Sequence, residues 1–280
     1  MMDIDVKLVG ELVDTQFPKW ANLTIKPVKH GGNDNRTFHL GEEMAVRLPS
    51  HKHYEPQVEK EAKWLPKLAP HLSLPITVPM GKGKPTKDYP YVWSINKWID
   101  GDTVTQDNVD LNQFAWDLAK FLKELESIDA SEGPRSGAHN FYRGGDLSVY
   151  DSETQEALDK LEGKINVKKC KMIWEQALLS KWVIEPVWVH GDIAPGNLLV
   201  QNGHLTGVID FGILGTGDPS CDLSIAWTFF DKSSRRTFME SMDLDKETWK
   251  RAKGWALWKA LITYENKESR KVVETLMNES

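Results

Sequence analysis

Between Val189 and Val200 the chain reads Val-His-Gly-Asp-Ile-Ala-Pro-Gly-Asn-Leu-Leu-Val, and Val208-Ile209-Asp210-Phe211-Gly212 follows shortly after. A carboxylate (Asp192), an amide five residues on (Asn197) and a second carboxylate (Asp210) are the groups that metal-assisted phosphoryl transfer requires. One carboxylate orients an acceptor hydroxyl and takes its proton, while the amide and the other carboxylate offer hard oxygen ligands to Mg2+. His190 stands beside a better-placed carboxylate and is read as a packing or hydrogen-bonding member of the loop. Such groups need stiff elements around them. The apolar runs Val187–Val189 and Leu198–Val200 supply strands, and Asn202-Gly203 is a strong hairpin dipeptide leading into Leu205–Ile209.

The spacing His-x-Asp-x-x-x-x-Asn followed by Asp-Phe-Gly resembles the catalytic and metal loops of protein kinases. Gly191 stands where that pattern carries Arg, and Gly217-Asp218-Pro219 and Cys221-Asp222-Leu223 follow. In this form the chain is similar to the aminoglycoside phosphotransferase family of small-molecule kinases, over most of its length. The resemblance implies an α+β, bilobal, protein-kinase-like fold. Its expected parts are an N-terminal nucleotide-binding lobe over residues 1–94, a hinge over 95–101, and a mainly helical catalytic and substrate lobe over 102–280. Asp192 becomes the catalytic base, and Asn197 and Asp210 become metal ligands. The implied reaction is Mg-dependent transfer of the γ-phosphoryl group of ATP or GTP to a hydroxyl, with an aminoglycoside or related antibiotic as first choice of acceptor. Amino alcohols, sugars and macrolides are alternative acceptors. A nucleotide-binding pseudokinase is a further alternative, opposed by the presence of all three site residues. A protein kinase is opposed by the lack of an Ala-Pro-Glu segment after Gly212.

Arg47 lies in Ala45-Val46-Arg47, where the kinase strand pattern has Lys, and its planar fork suits phosphate and carboxylate together. Glu61 is its expected partner, with Glu59 second. The turn-prone run from Gly31 to Thr37, with Asn33 and Asn35, is expected over the triphosphate. Ser94 to Trp98, with Ser94 and Asn96, is expected to be the hinge whose backbone reads the base.

For the acceptor, Asp218, Trp227, Trp258 and Glu265 are candidates, since carboxylates and aromatic faces suit a cationic ligand. Against this, Asp218 and Asp222 also match a framework segment that braces the catalytic loop, and Trp255 and Trp258 at i, i+3 fit a core.

Composition sets the remaining bounds. A net charge of −6 without a basic block argues against a nucleic-acid partner. No apolar run approaches the roughly 18 residues of a membrane helix, and Met1 to Val13 carries Asp3, Asp5 and Glu11 rather than a basic, then apolar, leader. A cytoplasmic monomer or homodimer is expected, with Cys170 and Cys221 as reduced packing residues. His51 and His53 lack a third ligand nearby and are read as a solvated loop.

Residues 22–28, 36–40 and 44–48 read as a β-meander, and Tyr89–Ile99 as a further β-rich run. Val58, Ala62, Leu65 and Leu68 mark a helix expected to end or bend near Leu65, before Pro66. Helices are also expected over 111–128, with Asn108 as cap, over 168–182 and 245–265, and from Pro219 to Phe230.

Overall fold

The computed structural model describes residues 4–29 and 34–279. The chain divides into two compact units, one running to Gly101 and including Gly207–Gly212, the other holding Asp102–Thr206 and the residues from Ile213 onward.

The first unit opens with α1 (Val6–Gln16), capped by the Asp5 side chain on Leu8 N–H. Strands β1 (Ile25–Pro27), β2 (Asn35–Leu40) and β3 (Met44–Pro49) form the expected meander. Helix α2 (Glu55–Leu68) follows, then β4 (Pro79–Gly83) and β5 (Trp93–Lys97). The sheet order is β1-β2-β3-β5-β4, with every pair antiparallel. Alternation along the strands sorts the two faces. Phe38, Leu40, Val46, Leu48, Trp93 and Ile95 pack with Val9, Leu12 and Val13 of α1, leaving Ala45, Arg47, Ser94 and Asn96 on the opposite face.

One local expectation changes here. Helix α2 runs through Pro66 to Leu68. Pro66 itself is exposed, and the burial of Leu65 and Leu68, about 1.5–3 kcal/mol each, offsets the roughly 3 kcal/mol cost of an interior proline. Ser94–Lys97 lies in β5, within the β-rich run expected over Tyr89–Ile99, and has a partner on each edge.

The second unit begins with β6 (Asp102–Thr103) and α3 (Leu111–Ser127). The cap of α3 is Asp110, whose Oδ1 accepts from Asn112 and Gln113 N–H, while Asn108 instead accepts from Thr105 N–H. Helices α4 (Asp151–Lys160) and α5 (Val167–Leu179) precede β7 (Val187–Val189). Strands β8 (Leu198–Gln201) and β9 (His204–Val208) form the hairpin. Asn202 and Gly203 both take left-handed geometry at φ 51° and 82°, as a tight hairpin turn demands. β10 (Gly215–Gly217) pairs antiparallel with β7. Residues 219–230 form a 3-10 turn followed by the short α6 (Ile225–Thr228) rather than one helix. Then come α7 (Lys232–Met242), α8 (Lys246–Ile262) and α9 (Lys267–Asn278). No helix among the described residues is long and apolar enough to cross a membrane. Cys170 and Cys221 are both buried and free.

Candidate active site

In the second unit the informative loop leaves β7 at Val189. Gly191 has φ 87°, and a Cβ built there would lie 2.7 Å from Ile213 O and 3.2 Å from Arg143 Cβ. Left-handed backbone and crowding together demand glycine, which explains why Arg is absent at this position. Asp222 lies beneath. Its Oδ2 accepts from His190 N–H at 2.7 Å and its Oδ1 from Gly191 N–H at 2.8 Å. Burial raises the Asp222 carboxyl above its ordinary range, opposed by His190 and the two N–H groups. His190 is fully buried, and its Nδ1 accepts from Asp192 N–H at 3.1 Å. The histidine therefore shapes the loop from within.

Asp192 is exposed. Asn197 Nδ2 donates to the Asp192 carbonyl at 2.9 Å and to its Oδ2 at 3.0 Å. That pair fixes the Asp192 carboxylate through the Asn197 Nδ2 group. Pro195–Asn197 forms a 3-10 turn that delivers Asn197 to this position.

Asp218, part of the expected framework segment, lies in a buried network whose other members, Arg251 and Ser180, have no local sequence signal. Arg251 of α8 donates through Nε to Asp218 Oδ2 at 2.7 Å and through Nη1 to Ser180 at 2.7 Å, and Ser220 donates to both Asp218 oxygens. Glu126 of α3 has a side-chain oxygen buried without a hydrogen-bond partner. Burial first, then Asp222 and Asp218, push its carboxyl up to about 8 against the opposing pull of Lys123.

Of the acceptor candidates, Trp227 is buried and donates from Nε1 to Glu279 at 2.9 Å. Trp258 is also buried, donates to Glu153 at 2.7 Å and stacks on Tyr150 at 3.9 Å. The cations over its ring are the chain's own Arg143, at 5.0 Å, and Lys259, at 5.8 Å, and Arg143 also lies 4.9 Å from the Trp255 ring. Glu265 is exposed, after α8.

In the first unit, Arg47 projects from the face of β3 that carries Ala45. Nη1 reaches Glu61 Oε1 and Oε2 at 3.1 and 3.3 Å, and Nη2 reaches Asp210 Oδ1 at 2.8 Å. Glu59 turns outward to Lys82. Burial opposes the guanidinium charge, but Glu61 and Asp210 outweigh it and raise the pKa further. Burial likewise raises Glu61, with Arg47 countering. Residues 207–212 are held to this unit by Val208 N–H on Pro75 O and a bridge to Ile76. Asp210 takes φ 65°, unusual for a non-glycine residue.

Asn35 is the buried first residue of β2; Asn33, Gly31 and Gly32 lie outside the described residues. Ser94 and Asn96 are buried at 2% and 1% exposure. Ser94 Oγ and both amide atoms of Asn96 have no hydrogen-bond partner, at a cost of about 1–3 kcal/mol per group. Among the described residues no group of three or more His, Cys, Asp or Glu forms a metal cluster.

The chain matches the phosphotransferase enzyme family over residues 24–255. It is 26% identical over 181 residues to the uncharacterized protein YcbJ of Bacillus subtilis (strain 168), covering 60% of this chain and 53% of that one. It is 28% identical over 132 residues to an aminoglycoside 3'-phosphotransferase of Escherichia coli, covering 46% of this chain and 48% of that one. The chain thus spans about half the length of the curated relatives it matches. Among solved structures it is similar to the GDP complex of wild-type aminoglycoside 2'-phosphotransferase-IIIa, with TM-score 0.72, 16% identity and 98% of each chain covered. It is also similar to the macrolide 2'-phosphotransferase MphH of Brachybacterium faecium, with TM-score 0.65, 17% identity, and 99% of this chain and 98% of that one covered.

Proposed function

The chain belongs to the phosphotransferase enzyme family, and we propose that it transfers the γ-phosphoryl group of a nucleoside triphosphate to a hydroxyl of a small molecule, with Asp192 as the base. The observation that carries this reading is the exposed Asp192 carboxylate held by Asn197 Nδ2. A carboxylate fixed at one oxygen keeps the other for an acceptor O–H, and positioning of that kind is the main protein contribution to phosphoryl transfer.

Arg47 supports the same reading. Glu61 and Asp210 hold its fork in one orientation and keep it charged, as a phosphate contact requires. Asn197 Oδ1 and the Asp210 carboxylate are hard oxygen donors that fit Mg2+ and would hold it. When bound, the ion neutralises charge on the phosphates. Asp222 holds the backbone from which Asp192 projects, so it serves as a positioning residue.

Aminoglycosides and macrolides are the first acceptors to assay, since proteins of those activities share the fold. With Trp227 and Trp258 engaged inside the second unit, Glu265 is the exposed member of the candidate acceptor set. The deciding experiment pairs wild type with Asp192→Ala, measuring nucleotide binding directly and phosphorylation of an aminoglycoside, macrolide and amino-alcohol panel. Loss of transfer by about 10²–10⁴-fold with nucleotide affinity retained supports the assignment. Near wild-type turnover by the variant refutes it.

A further inference from the structure

The face of the first unit's sheet opposite α1 carries Arg47 beside Ser94, and Ala45 beside Asn96, in the β3–β5 register. Cross-strand neighbours share a face, and diagonal ones such as Arg47 and Asn96 are about 7–8 Å apart at Cα. Asn96 therefore sits one step along the face from the group assigned to the phosphates. The backbone around it is already committed. β5 is paired on both edges, its last residue Lys97 donates N–H to Val78 O at 2.9 Å, and just beyond it Trp98 N–H donates to Glu43 O at 2.7 Å. Those N–H groups cannot also read a base.

The Asn96 side chain is the reverse. It is 1% exposed, and neither Oδ1 nor Nδ2 has a partner. Its neighbours across the strands, Ala45 and Pro79, carry no side-chain polar atom. A buried amide with both donor and acceptor idle calls for a complementary partner from outside the chain. Adenine presents that complement, with the N6 amino group as donor and N7 as acceptor. Guanine presents two acceptors, O6 and N7, and would set one of them against Oδ1.

We infer that the Asn96 side-chain amide reads the purine edge of the nucleotide, Nδ2 donating to N7 and Oδ1 accepting from N6, so that the chain prefers adenine to guanine nucleotides. This rests on the reading of the Arg47 face as the nucleotide-binding face.

The test is calorimetric titration of the full chain with ATP, GTP and 7-deaza-ATP, each with Mg2+, for wild type and the near-isosteric Asn96→Leu. Wild type binds ATP about ten- to a hundredfold more tightly than GTP, and 7-deaza-ATP, which lacks the N7 acceptor, about tenfold more weakly than ATP. In Asn96→Leu the ATP-to-GTP ratio falls to within about twofold, while Tm rises because the idle polar atoms are gone. Retained ATP preference in Asn96→Leu, or equal binding of ATP and 7-deaza-ATP by wild type, overturns the role of Asn96 alone. Failure of wild type to bind either triphosphate overturns the nucleotide-binding reading of the face itself. Should Asn96→Leu not fold, the 7-deaza comparison on wild type decides the matter.

Discussion

Asp222 grips the backbone of His190 and Gly191 with one carboxylate oxygen each, at 2.7 and 2.8 Å, although it lies 32 and 31 residues further along the chain. The loop that presents Asp192 is thereby anchored from below at two consecutive amides.

Asp222→Asn replaces one of those acceptors with an amide NH2 that faces an N–H donor. Loss of one charged hydrogen bond, about 1.5–3 kcal/mol, is expected to move Asp192 as well as lower stability. In a phosphorylation assay kcat should fall about tenfold or more while the Kd for nucleotide holds. A matching loss in both quantities, or none in either, contradicts the positioning role.

Gly191→Ala places a Cβ 2.7 Å from Ile213 O at φ 87°. Backbone strain of about 1–3 kcal/mol is expected, with larger loss for Gly191→Arg. Denaturant unfolding curves measure it; a variant as stable as wild type would show that the loop can open at no cost.

Arg47→Lys leaves one point charge where a fork now meets Glu61 and Asp210 together. Nucleotide KM should rise more than kcat falls. Arg47→Ala leaves Glu61 buried without its cation and is expected to cost about 3–5 kcal/mol in stability. Thermal melts check the second statement, and an unchanged Tm would count against it.

Glu126 yields a pH dependence with a definite sign. Burial, with Asp222 and Asp218 adding and Lys123 opposing, lifts its carboxyl from the ordinary 4.5 to about 8. Between those values the folded chain holds a proton that the unfolded chain has released. Its contribution is complete below the unfolded pKa and disappears as pH rises through 8, with a limiting slope of about 1.4 kcal/mol per pH unit. Tm of wild type should therefore decline from pH 6 to 8.5 more steeply than that of Glu126→Gln. Parallel declines would show that Glu126 is not the titrating group.

Much of the fold, and the residues of the candidate site, are legible in the sequence. Asp192, Asn197 and Asp210 stand out because a carboxylate, an amide and a second carboxylate fall on closely spaced turns between apolar runs. Asn202-Gly203 fixes its hairpin because both residues tolerate positive φ. Arg47 and Glu61 could be matched because a strand and the following helix keep their partners within 14 residues. The hidden parts depend on distance or on competition. Arg251 reaches Asp218 across 33 residues, with nothing local to mark it. β4, Pro79–Gly83, is rich in Gly, Pro and Lys, which disguise a strand that only its neighbour β5 stabilises. The polar, amphipathic α7 and α9 offer too few apolar positions to stand out. Trp227 and Trp258 looked available to an acceptor because sequence does not reveal that Glu279, Glu153 and Arg143 engage them.

The inclusion of Gly207–Gly212 in the first unit makes that unit discontinuous. During synthesis its sheet can emerge and collapse early, yet Arg47 meets Asp210 only after the intervening hundred or so residues have been added, about 5–20 s later at ribosomal rates. In that interval Arg47 has Glu61 alone, and the nascent chain carries the Arg47 face with one counter-charge missing. Completion of the charge pattern is thus tied to translation of most of the second unit.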